Sequence, residues 1–227
     1  MDYRLPGNIK ACVFDAYGTL FDVNSIFHGL RTDLAALGVN WQEFSNAWRN
    51  RQLQYTWIRS LSGQYADFWK VTGDALDFAL DAFNIRECDL RDKLFHLYLQ
   101  LLPYPECKQV LEQLRGTGLK LAILSNGTNN MLQSAVANAC FDDHFDAILS
   151  AEESKIFKPH PSVYHLAERH LDVATRDICF VSANGWDAWS AKAYGFHVVW
   201  CNRSHQPPER LPFVPDAMIR TLSEIAL

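Results

Sequence analysis

Four short stretches place reactive side chains just beyond apolar runs. "ACVFDAYGTLFD" (11–22) delivers Asp15 and, four residues on, Thr19; "LKLAILSNG" (119–127) delivers Ser125, Asn126 and Gly127. "DICFVSANGWD" (177–187) delivers Ser182, Asn184 and Asp187, and "KIFKPHP" (155–161) carries Lys158-Pro159. A carboxylate can serve as nucleophile or proton carrier, a lysine as its counter-charge, and hydroxyls and amides as orienting donors. Each stretch alone also has an ordinary structural use. An Asp after a strand makes turns or caps helices, Ser-Asn-Gly makes turns, and Lys-Pro precedes helix starts. Their recurrence at successive strand ends points further, because ligands of open α/β sheets bind beyond the carboxyl ends of the strands.

The elements that must carry these residues are legible in the apolar pattern. "IKACVF" (9–14), "LKLAILS" (119–125), "DAILS" (146–150), "DICFVS" (177–182) and "HVVWC" (197–201) are short and apolar without alternation. That is the signature of parallel strands covered on both faces. Helical patterns separate them near 105–116, 128–138, 160–170 and 186–194. Strand then helix, repeated, predicts a doubly wound, Rossmann-like α/β domain. The interval 22–100 breaks this rhythm with helical stretches at 41–61, 65–83 and 90–102, the first carrying an apolar stripe of Trp41, Phe44, Trp48 and Tyr55. The expected organisation is a core of residues 1–21 and 101–227 with an inserted helical cap at 22–100. The Pro-rich stretch 206–216 reads as a surface loop before a last short element.

Composition narrows the class. Of 227 residues, 48% are hydrophobic and 21% charged, so a packed core is expected. A net charge of −5 without a basic patch argues against a nucleic-acid partner. Six cysteines without a C-x-x-C pair are expected as reduced thiols, and the eight histidines show no ligand spacing. No secretory leader and no run of about 18 apolar residues is visible, so a cytoplasmic protein with no membrane partner is expected. "GTG" (116–118) precedes a strand instead of following one and cannot be a dinucleotide fingerprint.

The quoted motifs in this order resemble those of the haloacid dehalogenase superfamily. "FDAYGTLFDV", "WRNRQLQYTWIRSL", "LAILSNG", "KPHPSVY" and "FVSANGWDA" are similar to its L-2-haloacid dehalogenase group, over most of the chain and including the cap. The resemblance implies an HAD-like fold and a homodimer. It implies a hydrolase that turns short L-2-haloacids into D-2-hydroxyacids and halide through an aspartyl ester. Asp15 is then the nucleophile and Lys158 its counter-charge, with Thr19, Ser125 and Ser182 orienting the carboxylates. Asn184 and Asp187 stand near the hydrolytic water, with Asp187 alternatively a partner of Lys158. Arg49 matches the arginine facing the leaving halide, and Tyr164 an active-site tyrosine. Asn50 stands where the group more often has Gln. Tyr17, Leu53, Phe68 and Trp186 match an apolar pocket around the substrate, and Asn126 adds a polar wall.

Position 17 discriminates within the superfamily. Its phosphatases carry a second acid there to protonate a leaving alkoxide, whereas halide leaves as a stable anion and needs no proton. Tyr17, together with Ser182, Ala183 and Asn184 at the fourth strand end, removes acids that would hold magnesium. No metal and no cofactor are therefore expected. The rivals are a phosphatase of the same superfamily, and a dehalogenase specialised for another haloacid such as fluoroacetate.

Overall fold

The computed structural model describes residues 3–226. In chain order its strands are β1 (Tyr3–Arg4), β2 (Ala11–Phe14), β3 (Phe21–Asp22), β4 (Leu102–Pro103), β5 (Lys120–Ser125), β6 (Ala147–Ser150), β7 (Ile178–Ser182), β8 (His197–Cys201), β9 (Ala217–Ile219) and β10 (Ile225–Ala226). The main sheet runs β6-β5-β2-β7-β8-β9 and every neighbouring pair is parallel. The five strands expected from the apolar runs all lie in it. The sixth, β9, is too short and too exposed at Met218 to stand out as an apolar run. β2 and β7 are buried along their whole length, as their continuous apolarity requires.

The α-helices are α1 (Arg31–Ala36), α2 (Trp41–Leu61), α3 (Phe68–Ala82), α4 (Cys88–Leu97), α5 (Cys107–Gly116), α6 (Asn129–Asn138), α7 (Pro161–Leu171) and α8 (Gly185–Tyr194). Between the parallel strands, α5 packs on β5, α6 on β6, α7 on β5 and β6, and α8 on β7 and β8, with α7 and α8 touching each other. Side-chain caps set several helix starts. Asn40 accepts from the backbone N–H of Gln42 and Glu43, Asp67 from Lys70, and Thr128 from Met131. The Asp67 cap starts α3 at Phe68, three residues later than the apolar pattern suggests. α4 ends at Leu97, because residues 102–103 leave the helix to form β4.

Helices α1–α4 are inserted between β2 and β5. The chain leaves the core through β3 and returns through β4, and these two-residue strands pair antiparallel, Phe21 opposite Pro103 and Asp22 opposite Leu102. An aromatic seam joins the two parts. Tyr17 packs against Phe68 and Tyr98, Phe157 against Tyr65 and Phe68, and Trp186 edge-on against Trp57, with centroids 5.2–6.0 Å apart. Such pairs contribute about 0.5–1.5 kcal/mol each beyond their buried area. Among the described residues no helix is long and apolar enough to cross a membrane.

Candidate active site

β2 is central in the sheet, between the strand that precedes one crevice edge and the strand that follows it, so its carboxyl end opens at the topological switch point. Asp15 stands there and stays in register through its N–H, which donates to the Val181 carbonyl at 2.9 Å. The chain then turns sharply, with the Ala16 carbonyl accepting from the N–H groups of Thr19, Leu20 and Phe21. Gly18 allows this turn, because its φ of +86° is a conformation that side chains with a Cβ rarely take. The turn brings the Thr19 hydroxyl back over Asp15.

The carboxylate of Asp15 is buried and its two oxygens differ. Oδ2 accepts from the Thr19 hydroxyl at 3.1 Å and from the Asn184 amide at 2.8 Å, while among the described residues Oδ1 accepts only from Lys158 Nζ at 3.2 Å. The Thr19 hydroxyl has its direction set, since its oxygen also accepts the Ala183 N–H at 2.8 Å. Lys158, 1% exposed, donates in addition to Asp187 Oδ2 at 2.9 Å, and Tyr164 donates to Asp187 Oδ1 at 2.7 Å. One ammonium thus joins two buried carboxylates. Burial opposes its charge, but Asp15 and Asp187 outweigh that and hold the Lys158 pKa above its ordinary value. Burial, with the nearby Asp15 charge, pushes Asp187 upward against the pull of Lys158 and Tyr164.

The other residues singled out from the sequence fall into three places. Ser125, Asn126 and Ser182 are buried at their strand ends. Ser125 Oγ accepts the Gly127 N–H, Ser182 Oγ accepts the Asn184 N–H, and Asn126 Oδ1 accepts the Lys158 N–H at 2.8 Å. Arg49 reaches down from α2, one guanidinium nitrogen 3.5 Å from the Tyr17 carbonyl, which also accepts the Asn184 amide at 3.1 Å. Tyr17 and Phe68 are buried and stacked, Leu53 is half-buried on α2, and Trp186 is half-buried at the rim beside Trp57. Asn50 is exposed, and among the described residues it makes no hydrogen bond to the others of this group. Adjacent helix positions point about 100° apart, so Asn50 turns outward where Arg49 turns in.

Tyr17 fills the space above the second strand end. A Cβ on Gly127 would lie 2.7 Å from the Tyr17 hydroxyl, so the glycine makes room for the ring. Among the described residues that hydroxyl has no hydrogen-bond partner, and burial holds its pKa well above the ordinary phenol value.

The sequence profile of the haloacid dehalogenase-like hydrolases matches residues 9–195. The chain belongs to the haloacid dehalogenase-like hydrolases. It is 44% identical to (S)-2-haloacid dehalogenase 1 of Pseudomonas sp. (strain CBS-3), covering 96% of this chain and 95% of that one. It is 42% identical to (S)-2-haloacid dehalogenase 4A of Burkholderia cepacia, covering 96% and 94%. Its fold superposes with a TM-score of 0.87 on the L-2-haloacid dehalogenase of Xanthobacter autotrophicus with chloropropionic acid covalently bound, at 37% identity over 95% of this chain and 96% of that one.

In this haloacid dehalogenase-like hydrolase, two groups of supporting residues escaped the sequence reading. Arg203, just past β8, donates to the Thr19 carbonyl at 2.9 Å and to Glu106 at 2.6 Å, and its guanidinium lies over the Tyr104 ring. It therefore props the turn that aims Thr19, and no motif announces it. Gln52 is the second. The buried face of α2 includes Phe44, Trp48, Gln52 and Thr56 at successive i+4 positions, so the stripe turns polar at Gln52, four residues after Trp48. A polar residue on an apolar stripe was the available signal.

Proposed function

We propose that this hydrolase displaces halide from short L-2-haloacids, giving D-2-hydroxyacids through an ester on Asp15. The observation that carries the proposal is the asymmetry of the Asp15 carboxylate. Oδ1, with a single donor, keeps a lone pair for in-line attack on carbon 2 of the substrate. Oδ2, with two donors, becomes the ester carbonyl oxygen. The electron pair of the carbon–halogen bond leaves with the halide, so the first step transfers no proton, in keeping with Tyr17 in place of a second acid. Water then adds to the carbonyl carbon of the ester. The charge developing on Oδ2 meets the Thr19 hydroxyl and Asn184 amide already in position, which is oxyanion stabilisation. Collapse releases the hydroxyacid and restores the Asp15 carboxylate. Asp187, which shares the Lys158 ammonium with Asp15, is the acceptor for the water's proton.

In this reading Arg49 faces the departing halide, and Ser125, Asn126 and Ser182 steady the strand ends and the substrate carboxylate. Tyr17, Leu53, Phe68 and Trp186 wall the alkyl group, with Asn50 at the cap rim. Residues 22–100 form the cap over a core of 1–21 and 101–227, and the protein works in the cytoplasm as a homodimer. The aromatic cap helices and exposed Ile58 and Leu61 support an apolar contact between copies.

The test is halide release from L- and D-2-chloropropionate and fluoroacetate in the presence of a chelator. Release from the L isomer alone among the chloropropionates is expected. Magnesium-dependent phosphate release from an ester, with no halide from any haloacid, would overturn the proposal.

A further inference from the structure

We propose that Gln52 is a positioning residue that aims Arg49 while leaving its positive charge uncompensated, so that the charge is free for an anion. The proposal rests on the reading of Arg49 as the residue facing the departing halide.

Most arginines near a carboxylate here are paired with it. Arg59 meets Asp74, Arg86 meets Asp81, Arg91 meets Asp77 and Arg203 meets Glu106. Arg49 is half-buried in the seam between cap and core. Among the described residues it forms no ion pair, and its hydrogen-bond partners are two neutral oxygens: Oε1 of Gln52 at 2.7 Å and the carbonyl of Tyr17 at 3.5 Å. A half-buried cation satisfied only by neutral dipoles still has its full charge to offer.

The orientation of Gln52 follows from the network around it. Gln52 is 0% exposed. The Thr72 hydroxyl donates its one proton to the Phe68 carbonyl at 2.6 Å, so towards Gln52, 2.8 Å away, it can only accept. That requires Nε2 of Gln52 to face Thr72, which turns Oε1 towards Arg49. Tyr98, whose hydroxyl lies 3.1 Å from Nε2 and 3.2 Å from Oε1, closes the arrangement. Trp48 anchors the same part of α3 through its indole N–H, 3.0 Å from the Thr72 carbonyl. The aim of Arg49 is thus set by buried side chains of α2 and α3 and by Tyr98, which caps α4.

A glutamate at this position would hold the guanidinium more strongly, through a charge-assisted bond, but would cancel its charge. The neutral amide supplies direction without neutralisation. This separates aim from charge, and the two can be varied independently.

The experiment compares wild type with Q52E, Q52M and R49M. It measures kcat and KM for L-2-chloropropionate, the inhibition constant of chloride as product, and the thermal midpoint. For Q52E, whose second carboxylate oxygen would face the accepting Thr72 hydroxyl, we expect a lower midpoint in a protein that still folds, a chloride inhibition constant raised about 10-fold or more, and a fall in kcat of about 100-fold, the scale of losing one oriented charge at the reacting centre. For Q52M, which loosens the aim and keeps the charge, chloride inhibition weakens by only about 3-fold. Unchanged chloride inhibition and kcat in Q52E would overturn the proposal, as would a Q52M protein whose chloride inhibition weakens by about 10-fold or more. R49M tells the two readings apart. If it leaves chloride inhibition and turnover intact, the role assigned to Arg49 fails and this proposal with it; if it abolishes both while Q52E does not alter them, only the inference about Gln52 fails.

Discussion

The two walls of the candidate active site handle charge in opposite ways. On the core side, Lys158 is bonded to both Asp15 and Asp187, and every one of these groups is buried. On the cap side, Arg49 is held by neutral oxygens and Gln52, Thr72, Tyr98 and Trp48 carry no charge between them. In the proposed reaction the core wall prepares a nucleophile, which must stay ionised beside an anionic substrate, so its cation is committed in advance. The cap wall would receive an anion that exists only once the bond has broken, so its cation is left free. The parallel strands suit the first task because they fix backbone and side chains together. Packed helices suit the second because a guanidinium can be aimed from a distance by its neighbours.

Four substitutions, beside those at Gln52 and Arg49, break or sharpen this contrast. Asp15→Asn removes the proposed nucleophile, and single-turnover halide release should fall by more than about 10⁴-fold; retained turnover would dismiss Asp15 from its role. Lys158→Met leaves two carboxylates buried without their cation. A loss of about 3–5 kcal/mol in urea unfolding is expected, with halide release down about 10³-fold; Arg49→Met should be far less costly to stability, and an equal cost would erase the difference between the walls. Arg203→Met frees the turn carrying Thr19 without touching the reacting atoms. We expect kcat to fall about 10-fold with KM nearly unchanged, as for a group whose effect appears in the transition state.

Tyr164→Phe has the smallest expected effect, about 3-fold at the pH optimum, but it carries a sign. Burial already raises the Asp187 pKa, and the Tyr164 hydrogen bond pulls it back down. Without that bond Asp187 protonates at higher pH, so the acid limb of the kcat/KM profile should move upward. A profile moving downward, or staying put, would mean that Asp187 does not set that limb.

Much of the core wall was legible in the chain itself, and little of the cap wall. Asp15, Ser125 and Ser182 close apolar runs, and a parallel sheet has to gather the ends of its strands at one edge. Lys158 and Asn184 follow by a few residues and share that edge. Arg49 could be singled out by resemblance alone, because arginines at 49, 51 and 59 look alike along a helix. Gln52 interrupts an apolar stripe, yet its partners Thr72 and Tyr98 are 20 and 46 residues away, and no local pattern joins them. Arg203 depends on a contact with Thr19 across 184 residues.

By itself the sequence determined the alternation of strand and helix, the insertion after the first strand, and the acids, amides and lysine that meet at the sheet edge. These follow from local periodicity and from the rule that strands of a parallel sheet end together. Only the tertiary structure decided which oxygen of Asp15 is left with one donor, that Lys158 serves two carboxylates, and that Arg49 has none among the described residues. Hydrogen bonds and charges act over about 3–4 Å, and those distances are set by how the helices pack across the sheet.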